Sequence, residues 1–69
     1  MPLIFAKVGE ANIITKVGGN PTIRAHLENL GFIAGANVTV ITTIGGNLIV
    51  NIKESRVAIS KEMANKIMI

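Results

Sequence analysis

NVTVITTIGGNLIVNI, Asn37 to Ile52, reads as two strands joined by a tight turn. β-Branched residues dominate both arms, and such side chains suit a pleated surface. Between the arms stands Gly45-Gly46, the kind of pair that reaches the positive φ a two-residue hairpin turn requires. Alternation on the first arm sets Val38 and Val40 on one face and Thr39, Ile41 and Thr43 on the other. On the return arm Leu48, Val50 and Ile52 point inward, with Ile49, Asn51 and Lys53 outward.

The same composition extends to both sides of this hairpin. Twelve Ile, six Val and five Thr make up a third of the 69 residues, so the chain is expected to be mainly β. Downstream, Lys53-Glu54-Ser55 is a turn, and Val57 and Ile59 belong to a short last core strand. Ser60 caps a final helical turn over Lys61 to Lys66, and Ile67 to Ile69 closes against the first strand.

Upstream, Ala11 to Val17 reads as one strand with Ile13 and Val17 facing the core, and Ile14 interrupts its polar face. Lys7-Val8-Gly9-Glu10 is a turn before it, and Leu3 and Phe5 lie on the core as a terminal cover.

One helix interrupts the strands. Asn20 is placed to accept from the free N–H groups of a first turn, and Pro21 suits the first helical position. Ile23, Leu27 and Leu30 share a face, leaving Arg24, Glu28 and Asn29 to solvent. Gly31 then supplies a left-handed residue, and Phe32 packs back on Leu27 in a Schellman arrangement. Ile33-Ala34-Gly35-Ala36 turns the chain into the hairpin. Together these elements predict a small SH3-like barrel, with one short helix after the first strand and a short C-terminal helical turn. Residues 1–69 are expected to form a single domain.

Composition excludes much chemistry. There is no Cys, so no disulfide, thiolate metal site or cysteine nucleophile is available. One His, four Glu and no Asp offer no Ser-His-acid set, and the chain is not expected to be an enzyme or to need a cofactor. His26 and Glu28 lie two apart on the helix and diverge, so no resident metal site is expected and His26 reads as a surface residue. Neither Gly18-Gly19 nor Gly45-Gly46 runs on into the Gly-Lys-Ser/Thr of a phosphate loop.

A net charge of +3 favours acidic surfaces, but only Phe5 and Phe32 are aromatic, and no nucleic-acid partner is expected. The longest apolar run, Leu30 to Ala36, is far too short to span a bilayer. With no signal-peptide pattern either, the expected location is cytoplasmic.

Several motifs together carry a resemblance that covers essentially the whole chain. They are Lys7-Val8-Gly9, Gly18-Gly19, Ile23-Arg24-x-x-Leu27-x-x-Leu30-Gly31-Phe32-x-x-Gly35-Ala36, and Ser55-Arg56-Val57-Ala58-Ile59 before an Ala64-containing turn. In these the chain resembles the FeoA family, small SH3-like cytosolic modules of bacterial ferrous iron uptake. The resemblance implies an accessory protein acting beside the GTPase-bearing membrane transporter FeoB, with membrane contact only through that partner. Members often carry further arginines beside the position of Arg24, where this chain has Ala25 and His26. A similar domain ends iron-dependent repressors, joined there to a helix-turn-helix portion absent from these residues.

The candidate partner-binding residues are Arg24 on the helix and Ile14, Ile41 and Ile49, which the alternation turns away from the core. Barrel curvature or a one-residue bulge is the alternative that would bury those isoleucines. Arg24 and Arg56 are also weighed as groups reaching a partner GTPase, against solvated arginines or pairs with Glu28 or Glu54. Leu27, Leu30, Gly31, Phe32 and Gly35 build the helical corner. A nucleic-acid-binding or regulatory barrel and a self-associating module, hence a homo-oligomer, are the alternative functions.

Overall fold

The computed structural model describes all 69 residues. The chain begins with a 3-10 turn, Leu3–Phe5, followed by β1 (Ala11–Ile13), β2 (Lys16–Val17) and helix α1 (Pro21–Asn29). Strands β3 (Asn37–Ile44), β4 (Asn47–Ile52) and β5 (Ser55–Ser60) follow, then α2 (Lys61–Ala64) and β6 (Ile67–Met68). The larger sheet has the antiparallel order β1-β3-β4-β5, and β2 pairs with β6 in a second, two-stranded sheet. The mainly β architecture with one principal helix is as expected.

The expected first strand is divided. Ile14 donates its N–H to the Ala36 carbonyl (2.9 Å) and accepts from Gly35 N–H (2.7 Å), which bends the chain out of the β1 ladder. Thr15 N–H then meets the Met68 carbonyl at 2.8 Å, passing the segment to the other sheet. The bend shifts side-chain parity, so Ile13 is 52% exposed and Ile14 is buried at 1%. Both assignments from alternation are therefore reversed. Because of the division, α1 follows the second strand rather than the first.

Helix α1 has the expected ends. The Asn20 side chain accepts from Ile23 N–H at 2.9 Å, with Pro21 at the first helical position. At the other end Phe32 N–H bonds the Leu27 carbonyl (3.0 Å) and Gly31 N–H the Glu28 carbonyl (3.0 Å), the paired bonds of a Schellman cap. Gly31 takes φ +105°, open to glycine at little cost. The cap drives Phe32 inward, where it is the largest fully buried side chain.

Thirteen buried apolar residues form one core: Leu3, Ile14 and Val17 from the N-terminal third, Leu27 and Phe32 from the helical corner, and the inward residues of β3 to β6 with Ala64 of α2. Phe5 is 65% exposed and does not join Leu3 there. The 3-10 turn, closed by Ala6 N–H on the Leu3 carbonyl, directs only Leu3 inward. Helix α2 is shorter than expected and ends at Ala64. Its Ser60 cap is present, the hydroxyl accepting from Met63 N–H at 3.2 Å.

A candidate interaction surface on the outer sheet face

Register decides which residues share the outer face. Val40 of β3 lies opposite Val50 of β4, but the next pairs are Thr42 with Ile49, Thr43 with Leu48 and Ile44 with Asn47. One residue, Ile41, is thus extra, a β-bulge in which Ile41 and Thr42 together oppose Ile49. Val50 is buried and Ile49 half-buried, so the Ile49 side chain lies on the outer face. The bulge restores that face to Thr42 and Ile44 and turns Thr43 toward the Leu48 side. Simple alternation sets Thr43 on the face of Ile41; the bulge moves it to the face of Leu48, where it is still exposed.

On β5 the residue opposite Ile49 is Ala58. Ile41, Ile49 and Ala58 therefore form a row across β3, β4 and β5. The two isoleucines are half-buried, and Ala58 is exposed. Ile44, 63% exposed beside the Gly45-Gly46 turn, stands one row further along the same face. Alternation alone gives no sign of Ile44, because only the bulge turns it outward. Ala58 becomes the neighbour of Ile49 only through the β4–β5 register, which no local signal announces.

The sequence-derived candidates divide accordingly. Ile41 and Ile49 are brought together on one surface. Ile14 is not on it: it is sealed in the core by its bonds to Gly35 and Ala36 and cannot touch a partner. Arg24 is exposed on α1, a separate element, and Arg56 is exposed on β5 beside the apolar row. The side-chain hydrogen bonds involve Asn12, Asn20 and Ser60, leaving both guanidinium groups free for solvent or a partner. Leu27 and Phe32 are fully buried, and Leu30, the helix C-cap, is half-buried. Gly35 holds φ +91° in the turn that receives Ile14.

The surface has no enclosed pocket, and nowhere in the chain do three His, Cys, Asp or Glu side chains gather. No helix is long and apolar enough to cross a membrane. His26 is exposed on α1.

The family model of the FeoA domain matches residues 1–69. The chain belongs to the FeoA domain family. An Fe(2+) transport protein A of Methanocaldococcus jannaschii is 35% identical over 68 residues, covering 99% of this chain and 83% of that one. Among solved structures, the FeoA protein of Chlorobium tepidum superimposes with a TM-score of 0.90 at 27% identity, over 99% of this chain and 67% of that one. A FeoA of Stenotrophomonas maltophilia solved with zinc, described as a prokaryotic SH3 domain protein, gives a TM-score of 0.86 at 23% identity, over 99% of this FeoA-domain chain and 87% of that one. The fold of this FeoA-domain protein is thus SH3-like. It also recurs in a manganese-dependent transcriptional repressor, where 97% of this chain covers 39% of the repressor at 16% identity and a TM-score of 0.87.

Proposed function

We propose that this chain is an accessory protein of ferrous iron uptake. In this reading it works in the cytoplasm as one module and docks on the GTPase-bearing part of a FeoB-type membrane transporter, which it tunes or assembles. Membership of the FeoA family and the name of the Methanocaldococcus jannaschii relative support the pathway. The observation that carries the mode of action is the row Ile41, Ile49, Ala58, with Ile44 beside it. It is an outer sheet face where side chains that gain from leaving water remain accessible.

A docking face of this kind contributes through apolar burial at about 25 cal/mol per Å²; Arg56 beside it adds charge that selects an acidic partner surface, and Arg24, exposed on α1, is a separate contact. The test is capture from solubilised membranes with the tagged protein, comparing wild type with Ile49→Glu. Recovery of an iron-transport GTPase by wild type and its loss with the folded variant is the expected result. Failure of wild type to recover any such transporter overturns the proposal.

A further inference from the structure

Strand β5 is the last strand of the four-stranded sheet, with β4 on one side and no strand on the other. The hydrogen-bond phase of the β4–β5 ladder follows from its ends. Lys61 N–H donates to the Gly46 carbonyl at 3.0 Å. In an antiparallel ladder bonded pairs alternate with non-bonded ones, so Leu48 with Ile59 and Val50 with Val57 are bonded pairs. The non-bonded pairs are Ile49 with Ala58 and Asn51 with Arg56. The N–H and C=O groups of Arg56 and Ala58 therefore point away from β4, toward an edge where no other strand receives them.

Natural edges are usually blunted by shortness, proline, lysine or a bulge. The opposite edge, β1, is only three residues long. β5 has six residues, no proline, no lysine and an unbroken register with β4. The apolar row Ile41, Ile49, Ala58 runs across the outer face and ends at this edge. A strand added there would bring a side chain beside Ala58, whose small size leaves Ile49 accessible from that side.

Charge selects among occupants. Arg56 stands at the edge on the same face as Ala58, with Lys53 before the strand and Lys61 after it, and Glu54 and Glu62 next to those lysines. A second copy of β5 fits poorly. Antiparallel self-pairing centred on Ala58 sets Arg56 against Ser60 and offers it no carboxylate, and the register centred on Arg56 sets the two arginines against each other. Like charges directly opposed on neighbouring strands destabilise the pair.

We propose that the free edge of β5 accepts an extended acidic and apolar segment of a partner protein as a fifth strand of the sheet. Main-chain bonds form at Arg56 and Ala58, an apolar side chain extends the Ile41, Ile49, Ala58 row, and a carboxylate meets Arg56. This deepens the adaptor reading, on which it rests, by naming the edge and the chemistry of what it holds.

The probe is a short blocked peptide, Glu-Thr-Val-Thr-Glu-Thr-Val, in which glutamate and valine stand two apart and so share one face of the strand, at about 1 mM, a concentration suited to weak strand addition. Its control has lysine in place of glutamate. Backbone amide shifts and hydrogen exchange are followed by NMR. The expected result is shifted, slower-exchanging amides at Arg56 and Ala58 with the acidic peptide only. Arg56→Glu should transfer the preference to the lysine peptide, and Ala58→Pro, lacking the donor, should weaken binding about tenfold or more.

Should Ala58→Pro fail to fold, the Arg56→Glu exchange of preference still decides. Equal response to both peptides, shifts centred on α1, or none anywhere overturns the proposal. So does concentration-dependent dimerisation in sedimentation that Arg56→Glu alters, which would assign the edge to a second copy. Transporter capture unchanged in both variants would remove this edge and leave the adaptor reading intact. Peptide binding at β5 without transporter capture would do the reverse.

Discussion

Lys53 lies over Gly31: a Cβ built on Gly31 would stand 3.3 Å from Lys53 Cδ and 3.4 Å from Ile52 Cγ1. The end of α1 and the β4–β5 turn thus meet where the glycine has no side chain. Gly31 also holds φ +105°. Gly31→Ala should therefore cost about 1–2 kcal/mol, most of it from the left-handed backbone. Urea titration of Gly31→Ala with and without Lys53→Ala separates the two causes, and full rescue by Lys53→Ala would show that crowding, not backbone, dominates.

The β4–β5 turn is itself unfavourable in residue type. Lys53 and Glu54 both have positive φ, 48° and 64°, the sign pattern of a type I′ turn that Asn-Gly fills best. The double substitution Lys53→Asn with Glu54→Gly should stabilise the protein by about 1 kcal/mol. A lower midpoint in thermal melting would contradict this account of the turn.

Phe32 is the largest fully buried side chain and is held by the helix cap. Phe32→Ala should cost about 3–5 kcal/mol, enough to unfold much of a population whose total stability is of that order in so short a chain. Far-ultraviolet circular dichroism at 25 °C reads the loss directly, and a native spectrum with an unshifted melt would refute the assignment.

Asn20 is the side-chain cap of α1, accepting from Ile23 N–H at 2.9 Å. Asn20→Ala should destabilise by about 1 kcal/mol, whereas Asn20→Asp or Asn20→Ser should be nearly neutral because each restores an acceptor. Equal losses for all three would show that the cap bond contributes nothing.

Ile14 and Ile49 provide opposite outcomes from the same chemical change. Ile14→Glu places a carboxylate in the core and should prevent folding, since an unpaired buried charge costs several kcal/mol. Ile49→Glu, on the half-buried outer face, should leave a folded protein. One-dimensional proton NMR distinguishes dispersed from collapsed spectra, and a folded Ile14→Glu protein would place that residue outside the core.

Signals that act over a few residues are legible in the amino acids themselves. Asn20-Pro21 and Gly31-Phe32 mark both ends of α1 because caps are satisfied by atoms three to five positions away. Gly45-Gly46 marks the hairpin for the same reason, and Gly45 alone takes the positive φ, 58°. Signals that depend on a distant partner mislead. Ile13 and Ile14 exchange places because Gly35 and Ala36 draw Ile14 inward, and nothing within Ala11 to Val17 announces those bonds. Phe5 reads as core by hydropathy, but the 3-10 turn gives its inward position to Leu3.

The amino-acid sequence by itself determined a β-rich chain with two capped helices and no cysteine, because composition and local capping need no tertiary partner. Only the tertiary structure decided which isoleucines are surface. A single extra residue at Ile41 inverts the parity of the rest of β3, and whether a residue is bulged depends on the strand across from it. The same holds for the open edge of β5, since a free backbone group is defined by what fails to lie beside it in space.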